Sequence, residues 1–184
     1  MIGPVEGATS LDGFLASVER RALRIAQLSI SDVDEAMDCV QDAMIQLARH
    51  YAQRDPAEWP PLFYRILDNR LRKWRFKMVL RGRWLGSRLS ANNEGDDPFD
   101  AMPAPDGDRP DQATESAETL SRVRSALEKL PSRQRQAFVL RHWEGLSTAD
   151  TAQAMACSEG SVKTHLSRAC AALQPLMLEQ GLRP

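Results

Sequence analysis

Lys163, Thr164, Ser167 and Arg168 stand close together in the stretch SEGSVKTHLSRA, Ser158 to Ala169. At helical spacing they share one stripe with Gly160 and Ala171, and that stripe is small, hydroxylic and basic. Such a surface lets a backbone approach a nucleic-acid groove, where Lys and Arg reach phosphates or guanine edges and Thr and Ser bond to either. A solvated helix face can carry the same residues, so the stripe alone does not choose. His165 raises a second chemistry, metal binding. The chain holds only His50, His142 and His165, with Cys157 the one soft ligand nearby, too few for converging coordination, so no metal or other cofactor is expected. No GxSxG elbow is present and no nucleophile, base and orienting group converge, so the expected class is not an enzyme.

A second constellation lies upstream. Residues 61–83 carry eight Lys or Arg against one acid, Asp68, a local charge of +7. Tyr64, Trp74 and Phe76 are interleaved with these bases, and aromatic faces stack on unpaired bases at about 1–3 kcal/mol each. Arg65, Arg72 and Lys73 lie four before, three after and four after Asn69, which puts them on one helical face. Residues 85–118 reverse the balance, with two Arg against nine acids, −7, although the whole chain is near neutral at −1. Such block separation points to a polyanion partner for the basic segment.

The elements that must hold these residues read as helices. Leu11, Leu15, Val18, Ala22 and Ile25 recur at helical spacing, and so do Val33, Met37, Val40, Met44 and Leu47. A third helix begins after Trp59-Pro60-Pro61, with the apolar stripe Phe63, Leu67, Leu71, Trp74 and Met78. Periodicity then vanishes in NNEGDDPFDAMPAPDGDRPDQ, which reads as a flexible acidic linker. It resumes with Leu120, Val123, Leu127 and Leu130 and returns in a helix from Arg133 to Trp143. Gly145 can end that helix, Ser147 with Asp150 forms a capping box, and Ser158 can cap a last helix with Val162, Leu166, Ala169 and Leu173 inside. The pattern predicts an all-α protein of two small helical domains, the second containing a helix-turn-helix.

The stretch from Leu127 to Leu173, with its LPSRQR entry, LRHWEGLS corner and SEGSVKTHLSRA helix, resembles the promoter-binding domain of bacterial RNA polymerase sigma factors of the extracytoplasmic-function type. A LuxR-type regulator shares the GLS corner and the VKxH helix. Its N-terminal half would alternate strands and helices, whereas DVDEAMDCVQDAMIQLARHY followed by LFYRILDNRLRKWRFK resembles the other sigma domain. The resemblance implies domains at 10–84 (region 2), 85–118 (linker) and 119–175 (region 4), and a factor that binds core polymerase and directs initiation. It implies that Asp38, Gln41 and Asp42 dock on the clamp of the largest catalytic subunit, with the flap engaged as well. Asn69, with Arg65, Arg72, Lys73 and Tyr64, would hold the melted −10 element. Lys163, Thr164, Ser167 and Arg168 would read the −35 element, and Arg141 and Thr148 would touch phosphate.

The linker reaches at most about 110 Å extended, and promoter elements on the order of 25 base pairs apart are separated by about 85 Å. Two positions depart from the family pattern. Lys73 stands where relatives carry an acid or amide, and Ala156 where the turn usually holds glycine. MIGPVEGATS lacks the pattern of a signal peptide, no run is long enough to span a membrane, and Cys39, Cys157 and Cys170 form no CxxC pair. A cytoplasmic protein with reduced thiols is expected. Only a short tail follows Leu173, so regulation is expected from a separate anti-sigma factor.

Overall fold

The computed structural model describes the backbone of residues 10–85 and 115–179. Among these residues there are seven α-helices and no strand. They are α1 (Leu11–Gln27), α2 (Val33–Tyr51), α3 (Trp59–Leu85), α4 (Glu115–Lys129), α5 (Ser132–Phe138), α6 (Thr148–Met155) and α7 (Glu159–Glu179). The central part of the expected linker lies outside the described residues. Its end does not: α4 already starts at Glu115.

In the N-terminal unit, Ser10 caps α1 through the Gly13 amide, and Asp32 caps α2 through the amides of Asp34 and Glu35 at 2.9 and 3.0 Å. These side chains satisfy amides that a helix start leaves without partners. Phe14 and Val18 of α1, Leu47 of α2, and Phe63 and Leu67 of α3 are buried together, with the Phe14 and Phe63 rings edge-on at 6.0 Å. The Trp59 indole donates to the Tyr51 carbonyl at 3.1 Å, which ties the start of α3 to the end of α2.

The buried face of α2 differs from the expected stripe. Ala36, Cys39, Val40, Ala43 and Leu47 face the core, while Val33 and Met37 are 49% and 41% exposed. Small residues let α2 approach its neighbours closely, and the larger apolar groups are displaced to the outside. Burial, with the carboxylates of Asp42, Glu35 and Asp38 close by, pushes the Cys39 thiol up to about 11, so it is protonated at neutral pH.

In the C-terminal unit, the helix expected to run from Arg133 to Trp143 widens. Residues Val139–Trp143 form a π-turn, with the Glu144 amide bonded five residues back to Val139. Gly145, at φ +68°, turns the chain, and Ser147 accepts from the Asp150 amide at 3.0 Å to start α6. Helix α6 ends in a Schellman motif: the Cys157 amide reaches Ala152 and the Ala156 amide reaches Gln153. Arg133 donates to the Met155 carbonyl at 2.7 Å and secures the same end.

Ala156 takes the left-handed conformation the turn requires, φ 52° and ψ 48°, and it is exposed. A side chain there costs about 1 kcal/mol relative to glycine, partly offset because glycine loosens the unfolded chain by about 0.4–1 kcal/mol. Ala156→Gly is therefore expected to raise the melting temperature by on the order of 2 °C in calorimetry. A lower melting temperature would mean that the methyl group packs usefully.

The two helical units do not stand apart. Leu140, Leu146, Ala152, Met155 and Val162 of the C-terminal unit join the same apolar cluster as Phe14, Phe63, Leu67 and Leu71. Helix α3 lies against α6, which in turn crosses α7. A smaller cluster of Leu127, Leu130, Phe138, Val139, Ala169 and Leu173 reaches Leu28.

Candidate nucleic-acid interface

Helix α7 presents the expected division of faces. Val162 and Ala169 are fully buried and Leu173 nearly so, whereas Lys163, Thr164, Ser167 and Arg168 are exposed. Leu166 is half-buried, a partial departure from its expected core position. The Thr164 hydroxyl donates to the Gly160 carbonyl at 3.0 Å, which leaves its oxygen free to accept from a base amino group. Ser158 caps the helix start by accepting from the Ser161 amide at 3.1 Å. His165 is half-buried beside this face.

Arg141 and Thr148 are both half-buried near the helix corner. The Arg141 guanidinium donates to the Leu146 carbonyl, so in this arrangement it braces the Gly145 turn. A phosphate contact by the same side chain requires its remaining donors or release of that carbonyl.

On α3, Arg65, Asn69 and Lys73 are exposed along one face, with Phe76, 53% exposed, one turn further on. Arg72 is half-buried and pairs with Asp68 at 3.7 Å. Tyr64 is not on that face. It is 3% exposed, and its hydroxyl donates to the Glu144 carboxylate of the other unit. Burial first, then the Glu144 charge, raises its phenol well above the ordinary value, so it stays a neutral donor. Trp74 is half-buried and donates to Glu35 at 3.0 Å, which agrees with an inward role.

Asp38, Gln41 and Asp42 are exposed on α2. Met37 and Ile45, 41% and 48% exposed, flank them one turn to either side of Gln41 and form a mixed acidic and apolar surface. Asp42 pairs with Arg70 of α3 at 3.0 Å, and Arg70 also reaches Gln46 at 3.1 Å. In the sequence, Met37 reads only as part of a core stripe, and Ile45 carries no signal of its own.

A capped helix pair with a buried crossing and an exposed basic face defines a helix-turn-helix protein of the DNA-binding class. Comparison with known proteins narrows this. The sigma-70 region 4 family profile matches residues 120–173. The RNA polymerase sigma-E factor of Streptomyces coelicolor is 33% identical over 161 residues, covering 87% of this chain and 81% of the relative. The ECF RNA polymerase sigma factor SigM of Mycobacterium tuberculosis is 29% identical over 158 residues, 86% and 72% of the two chains. Among solved structures, the sigma factor RpoE of Bartonella quintana, in complex with the anti-sigma factor NepR, matches with a TM-score of 0.57 and 25% identity over 90% of this chain and 95% of that one. The chain belongs to the extracytoplasmic-function family of RNA polymerase sigma factors, which bind core polymerase and direct promoter-specific initiation. The likeness extends through the N-terminal half, which a LuxR-type regulator would not share.

Proposed function

We propose that this sigma factor divides its work between three exposed surfaces. The acidic and apolar face of α2, with Asp38, Gln41 and Asp42 beside Met37 and Ile45, docks on the polymerase clamp. The face of α3 carrying Arg65, Asn69, Arg72 and Lys73 takes the melted −10 element, with Asn69 as the polar group that holds an everted base. The face of α7 with Lys163, Thr164, Ser167 and Arg168 reads the −35 element from the major groove, and Thr148 sits at the phosphate edge. Residues 10–84 then act as region 2 and 119–175 as region 4. The observation that carries this reading is the sidedness of α7, apolar and buried on one stripe, basic and exposed on the other.

The reading assigns the chain no chemical step of its own and places it in the cytoplasm with its polymerase. No helix among the described residues is long and apolar enough to cross a membrane. A separate anti-sigma factor fits as a partner because the Bartonella quintana relative is held by one. Run-off transcription with purified core polymerase tests the proposal. The expected result is a promoter-specific transcript that neither component makes alone. A chain that binds duplex DNA but never directs initiation would defeat it.

A further inference from the structure

Between Ser158 and Ala171 the exposed face of α7 carries one acid, Glu159, in the first turn of the helix. It stands four residues before Lys163, so the two side chains leave the helix on the same side. The protein itself makes no use of this carboxylate. Among the described residues the Glu159 side chain has no hydrogen bond and no ion pair, so the stabilising pair that Glu and Lys can form at this spacing is not made. The helix start is capped without it, since the Ser158 hydroxyl accepts from the Ser161 amide at 3.1 Å.

Its neighbour Gly160 is also unexplained from within. Its φ is not positive, and a Cβ there would meet only the Ser158 Oγ, at 3.7 Å. Glycine in a helix is less stable than alanine, so what the position gains is the close approach of another molecule to the first turn. In a helix-turn-helix this end of the second helix is the one that contacts base edges.

A carboxylate carried into a groove lies among phosphates of like charge, and that repulsion weakens binding to every sequence. Only a donor on a base edge offsets it. In the major groove guanine and thymine present acceptors, and adenine presents its N6 amino group beside the N7 acceptor, which repels a carboxylate. Cytosine presents the N4 amino group alone. We infer that Glu159 is a specificity-determining residue that accepts from the N4 amino group of a cytosine in the −35 element, and that Gly160 admits the DNA closely enough for it to do so. The inference rests on the assignment of α7 to that element.

The test uses holoenzyme assembled from core polymerase and the full chain, with a pool of duplexes randomised across both promoter elements and sequencing of those retained. The parent should select cytosine at one −35 position. In Glu159→Ala the preference for cytosine at that position should fall about 5- to 150-fold while the other positions keep theirs. In Glu159→Gln the ratio of adenine to cytosine there should rise, because the amide supplies a donor for N7. An acid in the first turn also suits the positive end of the helix dipole, but that role moves the melting temperature and not the preference at one base pair. Parental selection at every position in Glu159→Ala would overturn the inference, and so would an equal change for all sequences or an unchanged adenine to cytosine ratio in Glu159→Gln. A parent that selects no base at any −35 position defeats the assignment of α7 itself, and the inference with it.

Discussion

Replacing Lys163 and Arg168 together with alanine should reduce initiation from a promoter with an intact −35 element by about a hundredfold or more, while core polymerase binding is retained. Both side chains are exposed, and α7 is anchored from behind by Val162, Ala169 and Leu173, so truncation leaves the helix in place. Each pairing of a long basic side chain with a base edge is worth about 1–3 kcal/mol, or roughly 5- to 150-fold in affinity. The two single variants separate reading from mere charge. Removing a side chain that touches phosphate weakens binding to every sequence and flattens the salt dependence of log affinity by about 0.9 per phosphate. Removing one that touches a base edge relaxes preference at one base pair and leaves the salt slope nearly unchanged. Failure of either variant to bind core polymerase would mean that the functions are misassigned between the units.

How much of this is readable in the sequence depends on which surface is asked about. The exposed basic face of α7 is legible because a helix-turn-helix fixes its own faces: Gly145, Ser147 and Ser158 mark the ends, and the short turn decides which side of α7 meets α6. Periodicity alone serves less well on α2. Met37 and Val33 match an apolar stripe as well as Ala36 and Ala43 do, and only packing against α1 and α3 selects the smaller set. The alternative register, Ala36, Val40, Ala43 and Leu47, is present as a signal, since close helix approach favours small residues. Tyr64 is misplaced by sequence reasoning for a related reason. Its neighbours Arg65 and Asn69 are exposed, and one residue along a helix turns the face by about 100°, so interleaving in sequence does not mean sharing a surface.

The widened turn at Val139–Trp143 is not legible at all, because nothing in VLRHW distinguishes a five-residue from a four-residue hydrogen bond. Its effect is nonetheless specific. It helps bring Glu144 to the position where its carboxylate meets Tyr64 and Arg21. The joining of the two units is hidden too, since the acidic stretch between them reads as a tether whatever its ends do. A faint sign exists in Tyr64, Asp68, Leu71 and Arg75, a second helical stripe on α3 that the basic outer face does not need.

Phe63→Ala should be the most damaging single truncation for stability, and its effect on function follows from where Phe63 sits. The side chain is fully buried, edge-on to Phe14 at 6.0 Å and to Tyr64 at 5.2 Å, so its removal opens a cavity where α1 and α3 meet. Phe to Ala in such a site costs about 3–5 kcal/mol, a large part of the roughly 5–15 kcal/mol that holds a domain folded. The melting temperature should fall by roughly 6–20 °C in a thermal scan. Phe63→Leu, which keeps most of the volume, should cost less than about 1.5 kcal/mol. Phe63 shares its helix with Arg65 and Asn69 and its cluster with Leu140 and Leu146, so the cavity loosens both the face of α3 proposed for the −10 element and the packing against the C-terminal unit. Promoter opening should therefore fail near the lowered melting temperature, while the face of α7 proposed for the −35 element, built on Val162, Ala169 and Leu173, should still bind duplex DNA at lower temperature. Equal melting temperatures for Phe63→Ala and the parent would mean that the packing of α1 on α3 does not hold the N-terminal unit together.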